Sequence, residues 1–185
     1  MEPVDSIRPA SRHINVLIVV DTDQIIDTYG PNCDPCSPIA LRYDRPVAIC
    51  TDAQSKVYGQ GTSQLKFLAH VGDVVSVSGV SSCGNAHHAV LLYSLLPPVD
   101  GHVFAPAQPV LNVLKHAVEP DPDSPQCHGL PPLRRRANFS RFSSTAQERG
   151  VESLAFSFAL YRLEDDGGKQ MIFGYYRCHF VVTVI

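Results

Sequence analysis

Six cysteines and eight histidines are the side chains of this 185-residue chain best suited to metal binding, thiol chemistry or proton transfer. Two of the cysteines stand close together, in Cys33-Asp34-Pro35-Cys36. A CxxC pair can cycle between dithiol and disulfide when it opens a helix, because the helix N-terminus stabilises the thiolate. Here the pair follows the end of an expected helical turn, and Pro38 comes two residues later. A structural zinc site would need a second ligand pair, yet the other four cysteines are scattered singly. The pair therefore reads first as a loop disulfide or as incidental spacing, and only second as a redox or metal centre.

The histidines and the late cysteine raise copper. Val71-Gly72-Asp73, then Asn85, His87-His88 and Cys178-His179, are similar to the order of ligand motifs in cupredoxins. That resemblance implies a site completed by a late Cys, His and Met. The chain departs at the ligands themselves. Cys178 and His179 are neighbours, and neighbours on a strand face opposite sides of a sheet. No methionine follows Cys178. His87 and His88 are adjacent in the same way. The simpler reading is a buried cysteine with hydrogen-bonded or surface histidines, and no cofactor. A hydrolase is no better supported: GxSxG is absent, and Ser81-Ser82-Cys83-Gly84 reads as a flexible loop.

Arg134-Arg135-Arg136, followed by Phe139, Arg141 and Phe142, is the one basic cluster. Such a cluster can hold phosphate, acidic lipid or nucleic acid. Nucleic-acid binding needs a broad basic face, whereas 15 Lys and Arg against 18 Asp and Glu leave a net charge of −3. The cluster reads as a solvated linker that balances the acidic stretch 119–123. The first apolar run, Ile14 to Val20, is too short to span a membrane. It also lacks the basic flank and cleavage site of a signal peptide. The expectation is a cytoplasmic protein with mostly reduced cysteines.

The elements that must position these residues are strands. With 44% hydrophobic and 18% charged residues the chain can bury a core. Ile14 to Val20 predicts a strand covered on both faces or central in a sandwich. Asp23 to Tyr29 predicts a short helix capped by Asp21 or Thr22 and ended by Gly30-Pro31. Arg45 to Thr51 predicts another strand. Leu65 to Gly79 predicts two strands joined as a hairpin through Val71-Gly72-Asp73. His87 to Leu96 predicts a further strand. Glu152 to Leu163 and Gln170 to Ile185 predict a hairpin around Asp166-Gly167-Gly168.

Residues 97–132 carry nine prolines. Proline removes a ladder donor, so this stretch is excluded from central sheet. Val110 to Val118 within it could be an edge strand or a short helix, and Leu133 to Phe142 leads into a polar connector. The fold expected is all-β: an antiparallel sandwich of about eight strands, Ig-like or jelly-roll-like. Residues 1–12 form a flexible arm, 13–185 a single domain, and 97–150 a long surface excursion.

The segment INVLIVVDTDQIIDTYGPNCDPCSPIAL resembles the N-terminal signature of the bacterial AidA/PixA family, the inclusion-body proteins. The matching elements are the strand Ile14 to Val20, Asp21-Thr22, the Ile25/Tyr29 turn, and Pro31-Asn32 followed by Asp34-Pro35 and Pro38. The likeness continues through Val71-Gly72-Asp73, with Ser76 and Ser78 where the family tends to carry an aromatic. It returns at Gly174-Tyr175-Tyr176, followed here by Arg177-Cys178-His179-Phe180. The resemblance implies a bacterial protein accumulated in the cytoplasm, in some members under quorum or growth-phase control during host association. It implies no catalytic residues. Asp21, Thr22, Tyr29, Pro31 and Asn32 are the signature positions, structural or ligand-binding.

Three functions compete on these readings. One is a non-enzymatic sandwich that forms homo-oligomers or binds a partner or small ligand. Another is a metal or thiol-redox protein using Cys33, Cys36, His87, Cys178 and His179. The third is a carbohydrate- or lipid-binding module whose proline-rich excursion walls a cleft.

Overall fold

A computed structural model describes residues 11–41, 47–52, 56–62 and 64–185. In chain order the elements are β1 (His13–Val20), α1 (Thr22–Tyr29), β2 (Ile39–Ala40), β3 (Val47–Thr51), β4 (Lys66–Ala69) and β5 (Val74–Ser81). They continue with β6 (Ala89–Leu96), β7 (Gln108–Asp121), β8 (Gly129–Thr145), β9 (Gly150–Leu163) and β10 (Gln170–Val184). One sheet has the order β3-β1-β5-β8-β7. The other runs β2-β10-β9-β6, with β4 also pairing β10. The fold is an all-β sandwich, as the turn-separated strand runs predict.

Both sheets are mixed rather than antiparallel throughout. β1 runs parallel to β5, and β10 runs parallel to both β2 and β4. The strands expected as a hairpin over 65–79 make two of these three parallel pairings. Both strands exist, but β4 joins one sheet and β5 the other, so the turn between them carries the chain across the sandwich. Gly72 makes that turn with φ +95°.

Asp73 closes the turn from inside. Its buried carboxylate accepts from the Arg12 backbone N–H at 2.9 Å, from Arg12 Nη2 at 2.7 Å and from the His70 N–H at 2.8 Å. Arg12, expected at the end of a flexible arm, is thereby fixed to the sandwich. Residues 1–10 of that arm, and the start of the strand expected from Arg45, lie outside the described residues.

β1 lies inside its sheet, between β3 and β5, but it is buried on one face only. Ile14, Val16, Ile18 and Val20 point into the core, while Asn15, Leu17 and Val19 point out. Asp21 caps α1, its side chain accepting from the Gln24 N–H at 3.1 Å. The aromatic centre lies between the sheets, where Phe67 and Phe156 each pack on Phe180 and Phe158 packs on Tyr176. Burying each such ring contributes about 1.5–3 kcal/mol.

The basic stretch 133–142, whose arginines read as a solvated linker, is strand, and so is the start of the polar connector expected after it. β8 pairs with β7 along nearly its whole length, so the two form a long ribbon, while Val103, Phe104 and Ala146 from the expected excursion lie in the core. β5 joins β8 only at Phe142–Thr145. Beyond that point β7 and β8 pair with no other strand among the described residues. Among the described residues, no helix is long and apolar enough to cross a membrane.

Candidate functional site

The signature residues bind the chain to itself. Thr22 is buried at the start of α1, and Tyr29 packs edge-on against Tyr176. Asn32 donates through Nδ2 to the carbonyls of Ser37 and Tyr175, at 2.9 and 3.2 Å, while its backbone pairs with Phe173 and Tyr175. Tyr176 donates its hydroxyl to the Gly30 carbonyl, and burial pushes that phenol up to about 12. Pro31 sits exposed at the start of this loop. These contacts seat the α1–β2 loop against β10.

Cys33 and Cys36 are exposed free thiols on that loop, and Asp34 Oδ1 holds the turn by accepting the Cys36 N–H at 2.9 Å. Cys178 points into the core and His179 outward, as strand alternation requires. His87 is exposed in the β5–β6 loop. The structure does not bring these five residues together. Among the described residues, no group of three or more His, Cys, Asp or Glu could hold a metal ion.

A different cysteine occupies a cleft. Cys83, His87 and His88 from the β5–β6 loop, Asp23 and Asp27 from α1, and Arg162 from β9 line a space of about 670 Å³. Ser81 Oγ lies 3.2 Å from Cys83 Sγ. That hydroxyl lowers the thiol to about 7. Burial opposes it, and the backbone amides of His87, His88 and Ala86 add to it. His88 is committed elsewhere. Its Nδ1 accepts the Leu163 N–H at 3.0 Å, which assigns the proton to Nε2, 3.3 Å from Asp23 Oδ1. Cys83 can thus form a thiolate, but His88 cannot serve as its base. The chemistry within reach is thiol exchange or alkylation.

A second concavity lies where the ribbon passes the outer face of the β6-β9-β10 sheet. Tyr93, Tyr161 and Tyr175 line one side, and Leu111, Asn138 and Ser140 of the ribbon line the other, around about 670 Å³. Tyr93 and Tyr175 meet edge-to-face at 5.6 Å, and the Tyr93 hydroxyl donates to the Pro35 carbonyl at 2.9 Å. Arg134, Arg135 and Arg136 are exposed farther along the ribbon, where Arg135 lies 3.9 Å from Glu119.

Sequence reasoning missed Cys83 and the three tyrosines. Cys83 had a signal, a Ser two residues before it and an Asn two residues after, but the amides that polarise it come from loop geometry. The tyrosines come from three strands and have no shared motif.

The family profile described as "PixA: Inclusion body protein" matches residues 12–184. Among solved structures the chain is similar to the crystal structure of an inclusion body protein (PixA) from Burkholderia cenocepacia J2315. The two share 25% identity, with 97% of this chain and 99% of that chain covered and a TM-score of 0.76. No curated protein matches.

Proposed function

Since the chain belongs to the PixA inclusion body protein family, we propose that it acts by assembling with copies of itself through the β7–β8 ribbon, without catalysis. The carrying observation is the ribbon's unsupported outer face. Cross-strand partners share a face, so Leu114 stands beside Ala137 and Phe139 beside Asn112. Leu114 and Phe139 are each 52% exposed.

A two-stranded ribbon is marginal in water on its own. Large apolar side chains in the open mark association surfaces. The free edge of β7 is a poorer candidate, because Pro109, Pro120 and two bulges interrupt it. Face-to-face packing of two ribbons therefore fits better than sheet extension. The printed name of the solved relative, inclusion body protein, supports the same reading. On it the protein accumulates in the bacterial cytoplasm under growth-phase or population-density control, as the opening segment's resemblance implies.

Sedimentation velocity across a concentration series tests this. The wild type is expected to associate, and a Leu114→Glu/Phe139→Glu double variant to remain monomeric. A wild type that stays monomeric throughout, or a double variant that associates equally, sinks the proposal.

A further inference from the structure

We infer that the groove between the ribbon's inner face and the outer face of the β6-β9-β10 sheet is a binding site for a neutral saccharide. The groove draws on β6, β7, β8, β9, β10 and the α1–β2 loop. Its volume, about 670 Å³, is in the range of small-ligand sites, roughly 300–1,000 Å³.

None of its lining residues carries a charge. A charged ligand would give up hydration there without a counter-charge in the lining, since Arg177, which acts on Tyr93, stands outside it. The occupant is therefore neutral.

The walls also argue against a purely apolar occupant. Register places Asn138 opposite Val113 and Ser140 opposite Leu111, so Asn138 and Ser140 aim across the groove at the sheet. Tyr161 and Tyr175 present hydroxyls from the other side. None of these four side chains makes a hydrogen bond to any described residue, although Tyr93 beside them does. An acyl chain would bury them unpaired, which is costly. A sugar ring meets both demands. Its C–H face packs on tyrosine rings and leucines, and its hydroxyls pair with an amide and hydroxyls on both walls. A few convergent polar groups on an apolar surface is how small-ligand sites fix orientation.

The site is independent of the proposed assembly face. Leu114 and Phe139 point away from the groove, so the double variant above should bind sugar normally.

The test titrates the full chain with a panel of neutral mono- and disaccharides, uronic acids and a medium-chain fatty acid. Binding is read by tyrosine emission, which no tryptophan obscures, and by saturation-transfer NMR. At least one neutral saccharide is expected to saturate. Asn138→Ala and Tyr161→Phe are each expected to weaken it by about tenfold, the equivalent of ~1.4 kcal/mol, with unchanged melting. Tyr161→Phe keeps the ring and removes only the hydroxyl. The inference is overturned if no neutral saccharide binds, if the fatty acid or a uronic acid binds more tightly, or if both variants bind the sugar as the wild type does.

Discussion

Cys83 holds its proton loosely because the Ser81 hydroxyl and the backbone amides of 86–88 outweigh the burial that favours the neutral thiol. With the thiol lowered from 9.0 to about 7, half of it is thiolate near neutrality. Iodoacetamide labelling followed by peptide mass spectrometry should show its rate rising to a plateau with a midpoint near pH 7. Ser81→Ala removes the largest of the lowering interactions and moves the midpoint upward. A first unit of that rise lowers the thiolate fraction at neutral pH about fivefold, and the rate with it. The sign for stability follows. A depressed pKa stabilises the fold above the unfolded value of 9.0, and that contribution is lost as pH falls through about 7. A midpoint unmoved by Ser81→Ala would remove the hydroxyl from the explanation. The sequence displays Ser81, Cys83 and Asn85 plainly. It does not display that Asn85 takes φ +63° and so helps turn the amides of 86–88 back toward the sulfur.

At the level of elements, the Val71-Gly72-Asp73 turn does more than reverse the chain. Burial pushes the Asp73 carboxyl up, but the hydrogen bonds from Arg12 and from the His70 amide outweigh it and hold the group below its ordinary 3.8. Its contribution is therefore present above the ordinary carboxylate range and lost as pH falls through the depressed value. Asp73→Asn should cost about 2 kcal/mol in urea unfolding, within the ~1.5–3 kcal/mol of a hydrogen bond to a charged group. It should also flatten the acid limb of stability below about pH 4. An unchanged acid limb would exclude Asp73 as its origin. The same turn marks the limit of reading elements from sequence. β9 and β10 pair with each other, so their alternation and the Asp166-Gly167-Gly168 turn reveal the hairpin. β4 and β5 alternate just as clearly, but alternation records a buried face and never the identity of the partner. Leu133 to Phe142 is misread for a different reason: a strand exposed on both faces has no periodicity to detect.

Across the whole molecule, the core and the ribbon are separate. The apolar cluster draws on every strand but β2, β7 and β8, and no residue of 108–141 belongs to it. Leu111 and Ser140 are directly opposed, so replacing 112–139 by Asn-Gly makes a two-residue hairpin turn of favoured type. That variant should unfold cooperatively at nearly the wild-type temperature and, on the proposed assembly, should remain monomeric. A collapse in melting temperature would make the ribbon part of the fold. Sandwich class is legible because it needs only strand runs and turns, whereas the groove arises from a ribbon whose path over the sheet leaves no local trace. The pairing of β10 has a further consequence, in time. Among the described residues β2 and β4 find their only strand partner in β10, and about 100 residues separate the end of β4 from the start of β10. At the ~5–20 residues per second of synthesis, β4 waits on the order of 5–20 s for that partner to be made. During that interval Leu65, Phe67 and Ala69, all destined for the core, have no sheet to join. A nascent chain in that state has the exposed apolar surface that drives neighbouring chains together, so crowded polysomes favour association before any finished protein exists.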